Sequence, residues 1–192
     1  MPMLEGTLPE PIAEDREHSI QQKETVMAAP KRTQDKDAIA ILKEDHKKVR
    51  GLLGELEETS EHASGRREKL LTTIEQELKI HTKIEEEIFY PAFREAAEKK
   101  DDKKLYCEAV EEHHVVDLVL PEIKATAADS EEFGAKAKVL KDLVEHHAEE
   151  EETEMFPRAK KLMDRGELIR LGGELASAKE AMMAGSTKRR AS

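Results

Sequence analysis

The chain has no tryptophan, two tyrosines and four phenylalanines, so aromatics make up 3 % of its 192 residues; glycine numbers nine and proline seven. A β sandwich or barrel needs aromatic and β-branched strands joined by many turns, and that composition is missing. Cysteine occurs once, as Cys107. One thiol cannot close an internal disulfide, which excludes a stapled secreted scaffold and fits a reducing compartment, so a cytoplasmic location is expected. No apolar run approaches the roughly 20 residues that cross a bilayer. Residues 1–35 hold no apolar segment of the kind a secretory signal requires, and no membrane partner is expected. Positive charge is also short: 32 Lys and Arg stand against 43 Asp and Glu, a net charge of -11. Such a surface repels phosphate, so nucleic acid is not expected as a partner.

What remains is charge, at 39 % of residues, carried on a helical period. Ile39, Leu42, Val49, Leu53 and Leu56 step by threes and fours from about Lys36. A second helix is expected over about 66–90, with Leu70, Ile74, Leu78 and Ile88 in register and Pro91 interrupting or kinking it. A third spans about 103–127 with a kink at Pro121. Asp129-Ser130 before two glutamates reads as the cap of a fourth, which runs to Phe156 and is interrupted by Pro157. A fifth helix is expected over about 167–184. The prolines and polar residues of 1–35 read as a disordered or partly helical leader, with a helical stretch near 12–28. Residues 185–192 read as a disordered tail. The expected organisation is therefore all-α: an antiparallel up-down four-helix bundle within 36–184, plus an extra C-terminal helix.

The chain repeats itself. LKEDHKKVRGLLGEL at 42–56 aligns without gaps to AVEEHHVVDLVLPEI at 109–123, pairing His46 with His113. HTKIEEEIFYP at 81–91 aligns to HAEEEETEMFP at 147–157, pairing His81 with His147, Glu85 with Glu151 and Pro91 with Pro157. These polar residues stand in apolar series. His46 falls between Leu42 and Val49; His81 and Glu85 follow Leu78; His113 falls between Ala109 and Val116; and His147 and Glu151 follow Val144. All six are thus expected to face inward. Residues four apart lie about 40° apart around a helix and about 6 Å along it, so each His-x-x-x-Glu presents a nitrogen and a carboxylate from one face. Counting outward from the expected turns puts all four histidines at one height. Two buried carboxylates with four imidazoles need a shared counter-charge, and a pair of metal ions supplies it.

The order DH, HxxxEExxFYP, EHH, HxxxEExxMFP resembles the hemerythrin-like (HHE cation-binding) family, over about 36–163. The resemblance implies a four-helix bundle with two non-haem iron ions. It implies His46, His81, Glu85, His113, His147 and Glu151 as ligands, the two glutamates bridging. Oxygen-carrying members of that family have a fifth histidine four residues after the third-helix histidine, where this chain has Asp117, an additional candidate ligand. Their last carboxylate is an aspartate at plus five; here Glu151 stands at plus four. The function implied is binding of O2 or a related small molecule, in sensing, storage, scavenging or iron handling. The alternative is an enzyme acting on peroxide or O2, catalase-like or ferroxidase-like. The Glu-x-x-His spacing of ferritin-like sites occurs in helices two to four only at Glu111 and His114. Glu86 and Glu152 are expected to be solvated or to support the site, His114 and His146 to lie outside the ligand set, and Cys107 to be a small buried group or an inert thiol. The aromatic residues are assigned to the core.

Overall fold

The computed structural model describes residues 36–190, with side chains through Gly185. The leader expected over 1–35 lies outside the described residues. Among these the structure is helical, without strands. Helix α1, Ala38–Glu57, starts where the Asp37 carboxylate accepts a hydrogen bond from the Ala40 amide. A short 3-10 turn, Glu61–Ala63, leads into α2, Ser64–Ile84. Helix α3 is Tyr90–Ala96, α4 is Lys100–Ala125, and α5 is Glu131–Glu150, capped by the Ser130 hydroxyl on the Phe133 amide. Helix α6 is Phe156–Leu162 and α7 is Arg165–Arg190. Short connections make consecutive long helices antiparallel. Helix α1 packs on α2 and α5, and α4 packs on α5 and α2, which closes a four-membered ring.

Pro91 and Pro157 do not break the chain's helical course. Each follows a single π-helical turn, Glu85–Phe89 and Glu151–Met155, in which the Tyr90 and Phe156 amides donate to the carbonyls of Glu85 and Glu151. The wide turn takes in an extra residue. It leaves each proline in the first turn of α3 or α6, where a missing N–H costs nothing. The extra residue also shifts the helix phase, so Ile84 and Phe89 are buried while Ile88 is only half-buried. Pro121 lies within α4, which continues past it; the residue is exposed, and water can reach the carbonyl it leaves unpaired. The last helix continues to Arg190 rather than ending before a disordered tail at Gly185. One interior glycine costs a helix only about 1 kcal/mol.

Apolar side chains form two clusters. One, at the loop end of the bundle, holds Val49, Leu53, Leu71, Ile74, Leu78, Val116, Leu120, Phe133, Leu140 and Val144. The other holds Ala38, Ile39, Leu42, Ile84, Phe89, Tyr90, Phe93, Met155 and Phe156, together with Leu168, Leu171 and Leu175 of α7. Between the two, all buried, lie His46, His81, Glu85, His113, His147 and Glu151. Arg67, which the sequence pattern leaves unremarked, ties the two hairpin loops together. Its guanidinium donates to the Thr59 hydroxyl and carbonyl and to the Ala128 carbonyl at 2.8–3.0 Å, and packs over the Phe133 ring.

Candidate metal centre

Each helix of the bundle brings one histidine to a single layer. The His46 and His81 rings are 4.8 Å apart, the His113 and His147 rings 4.6 Å, and the His46 and His147 rings 6.5 Å. The two glutamates enter the layer at the first residue of each π turn. Glu85 Oε2 lies 3.3 Å from His81 Nε2 and 3.4 Å from His113 Nε2. Glu151 Oε2 lies 3.1 Å from His46 Nε2 and 3.8 Å from His147 Nε2. Each carboxylate therefore reaches a histidine of both hairpins, the placement a bridging group needs. The donor atoms of His46, His81, Glu85 and Glu151 converge on one position, and those of Glu85, His113 and His147 on a second.

The other ring nitrogen of each histidine meets a carboxylate supplied by a neighbouring helix. His46 Nδ1 donates to Glu152 at 3.0 Å, His113 Nδ1 to Glu86 at 2.8 Å, and His147 Nδ1 to Glu112 at 2.8 Å. Asp45 stands 3.7 Å from His81 Nδ1. An ionised carboxylate only accepts, so each close contact places a proton on Nδ1, and in the neutral ring Nε2 is then a lone pair facing the centre. Such carboxylates fix the tautomer and raise the basicity of metal-bound imidazoles. Glu86 and Glu152 were expected to be solvated or supporting; both support. Asp45 and Glu112 were missed, although a carboxylate beside each ligand in the DH, EE and EH pairs was the signal.

The layer as it stands is short of hydrogen-bond partners. His46 Nε2, both ring nitrogens of His81, both oxygens of Glu85, Glu151 Oε2 and Asp45 Oδ2 are buried without a hydrogen-bond partner. The His113 and His147 Nε2 atoms face one another at 3.1 Å. Burial, then the Glu151 charge, pushes the Glu85 carboxyl well up. Burial also acts to raise Glu151, but His147 and His46 beside it outweigh that and hold it low. Burial pushes His81 down to about 4, so it is a neutral base near pH 7. Bare imidazole nitrogens and unpaired carboxylate oxygens converging in an apolar interior fit transition-metal cations, and this mixed nitrogen and oxygen donor set suits iron.

Asp117 does not join them. It is exposed, because the buried stripe of α4 runs through His113, Val116 and Leu120 and leaves plus four on the outer side. Glu111 and His114 are also exposed, so the one ferritin-like spacing sits on the surface. His146 is exposed beside Glu112 and Glu150. Cys107, expected to be buried or inert, is exposed. Tyr90, assigned to the core, reaches the centre: its hydroxyl donates to Glu151 Oε1 at 2.8 Å and lies 3.4 Å from His113 Nε2. Its ring stacks on His113 as Phe156 stacks on His46, a pairing the repeat of 81–91 on 147–157 had put in register.

A cavity of about 20 Å³ adjoins the four histidines, walled by Val49, Leu78, Val116 and Val144. A single water needs about 10–15 Å³ measured in this way, so the space suits a molecule of one or two heavy atoms.

A family model described as the hemerythrin HHE cation binding domain matches residues 37–159. A DNA nickase from Nostoc sp. (strain PCC 7120 / SAG 25.82 / UTEX 2576) is 29 % identical over 123 residues. The match takes in 64 % of this chain but only 33 % of the nickase, so the chain spans about a third of that relative's length. The crystal structure of a hemerythrin HHE cation binding domain-containing protein from Mycobacterium kansasii is 29 % identical, with a TM-score of 0.70 over 80 % of this chain and 91 % of that one.

Proposed function

The chain belongs to the hemerythrin HHE cation-binding family, and from that premise we propose that it is a non-haem di-iron protein that binds O2 or a related small molecule. His46 and His81 would hold one ion and His113 and His147 the other, with Glu85 and Glu151 shared between them. The observation that carries this reading is the layer of buried nitrogens and oxygens without partners between two apolar clusters. Bound there, two iron ions would supply a pair of redox centres able to take small ligands. The side chains do the rest. Glu152, Glu86 and Glu112 hold the imidazoles of His46, His113 and His147 with Nε2 inward, and Val49, Leu78, Val116 and Val144 keep the small cavity apolar and exclude bulk water. Asp117, on the surface, would not take the place of the carriers' fifth histidine.

The alternative, an enzyme that consumes peroxide, is favoured by one feature. The buried Tyr90 hydroxyl, its pKa pushed well up by burial and by the Glu151 charge, keeps its proton and holds it at the centre. The nickase's activity belongs to a protein three times the length of the matched segment, and the net charge of -11 argues against affinity for DNA here. Anaerobic iron loading, metal analysis and visible spectra on adding O2 and then peroxide test both readings. Two irons per chain and an optical change with O2 are expected; no bound transition metal after loading refutes the proposal.

A further inference from the structure

Helix α7 lies beyond residues 37–159, the extent of the family match. Its docking is nonetheless specific. Leu168, Leu171 and Leu175 are buried in the same cluster as Ala38, Ile39 and Leu42. Gly172 sits against the start of α1, where a Cβ would come within 2.2 Å of the Lys36 carbonyl oxygen and 3.0 Å of the Ala38 nitrogen. The offset of 134 residues between Ala38 and Gly172 recurs between Asp45 and Lys179. The two helices therefore run side by side in the same direction. A contact that only glycine permits sets the register that delivers Lys179, two turns on, to Asp45.

The Lys179 ammonium pairs with Asp45 Oδ1, and both side chains are largely buried. Asp45 is the carboxylate that faces His81, and it stands 3.7 Å from Nδ1. The other three histidines have their carboxylates at 2.8–3.0 Å. Resting on the two-metal reading above, we propose that α7 is part of the metal centre, with Lys179 a positioning residue that draws Asp45 away from His81. A carboxylate hydrogen bond makes an imidazole a stronger ligand. His81, whose carboxylate alone stands beyond hydrogen-bond distance, is then the weakest of the four. The cations fall on one side of the centre only. Arg50 binds Glu152 behind His46 at 2.6 Å, whereas among the described residues no lysine or arginine lies within 4.0 Å of Glu86 or Glu112, behind His113 and His147. The halves of a repeated sequence thus become electrostatically unlike.

Cobalt(II) loaded into the full chain tests this, because imidazole N–H protons near a paramagnetic ion give separate shifted proton resonances. In the wild type the His81 resonance, assigned by its loss in His81→Gln, should exchange with solvent fastest of the four. In Lys179→Met, Asp45 is released toward His81, so that resonance should shift and its exchange slow. The other three should hold their positions, and cobalt should bind more tightly, by up to about tenfold in chelator competition. Lys179→Arg should restore the wild-type spectrum. Gly172→Ala, which disturbs the docking of α7 away from the centre, should move the same resonance; the Met and Arg pair decides the matter if that variant does not fold. Two cobalt ions per chain with the His81 resonance unchanged in Lys179→Met overturns this proposal alone. No cobalt bound by the wild type overturns the two-metal reading and this proposal with it.

Discussion

Removing the metal should lower the melting temperature markedly, and the structure sets the size of the effect. Seven buried side-chain atoms at or beside the centre have no hydrogen-bond partner. At the low end of the usual penalty, about 1 kcal/mol each, they cost about 7 kcal/mol, comparable with the whole stability of an ordinary domain. Ions bound to the native state alone offset this. At free metal 100 times the dissociation constant each site contributes about 2.7 kcal/mol, so two contribute about 5. For a chain of this length about 2–4 °C follows each kcal/mol, which gives a fall in Tm of about 10–20 °C on chelation. Glu85→Leu makes the test specific. It deletes two of the seven unpartnered atoms and replaces a buried carboxyl with an apolar group of similar size. Without metal the variant should melt about 5 °C or more above the chelated wild type; with metal it should gain little. Circular dichroism melts of the two proteins, chelated and loaded, give the four numbers required. Chelated and loaded wild type melting within a degree or two of one another refutes the reasoning, as does a chelated Glu85→Leu that melts below chelated wild type.

Three further outcomes are expected. His147→Ala should leave about one metal per chain by elemental analysis, since the second group of donors loses a nitrogen, whereas Asp117→Ala, at an exposed position, should change neither metal content nor Tm. Arg67→Met should lower stability in urea by about 3 kcal/mol, because the Thr59 and Ala128 acceptors are left buried and unpaired. Dialysis at stepwise lower pH should strip the metal between about pH 6 and 4, because protons compete with it for the imidazoles; His81, pushed down to about 4 by burial, remains a free base longest.

The helical class and the six inward residues were legible because a histidine or glutamate in an apolar stripe at steps of three and four is costly to bury without a purpose, and because the stripe occurs twice. The errors came where local rules meet wider packing. Proline rules read Pro91 as an interruption or a kink and Pro157 as an interruption, but a π turn satisfies the same constraint without ending the helix, and nothing in a residue count announces the extra residue. Alignment to the carriers' spacing put Asp117 within reach of the centre, whereas the α4 stripe passes on the other side of it. Tyr90 was assigned to the core on its ring, which is in the core; its hydroxyl is not explained by apolar period. Arg67 and Lys179 act across 61 and 134 residues of sequence, on a loop carbonyl and on a carboxylate beside a histidine. Such partners are set by the three-dimensional register and leave no periodic trace.

The repeat invites the view that the two halves of the centre are equivalent, and one residue pair decides how far that holds. At matching positions Tyr90 stacks on His113 and Phe156 stacks on His46. The rings do the same packing, so Tyr90→Phe installs the other half's residue with almost no change of volume, a substitution that cores tolerate for under about 1.5 kcal/mol. What it removes is one O–H, donated to Glu151 at 2.8 Å in a buried layer. Two metals per chain should still bind, and Tm should move by a few degrees at most. If the Tyr90 proton serves a peroxide held at the centre, peroxide consumption by the iron-loaded protein should fall by about a hundredfold, the scale at which positioned proton donors begin to matter. Binding of O2, followed by its visible spectrum, should survive. Peroxide consumption unchanged in Tyr90→Phe would remove the one feature that favours an enzyme, and would leave the hydroxyl as a support that fixes Glu151 in place.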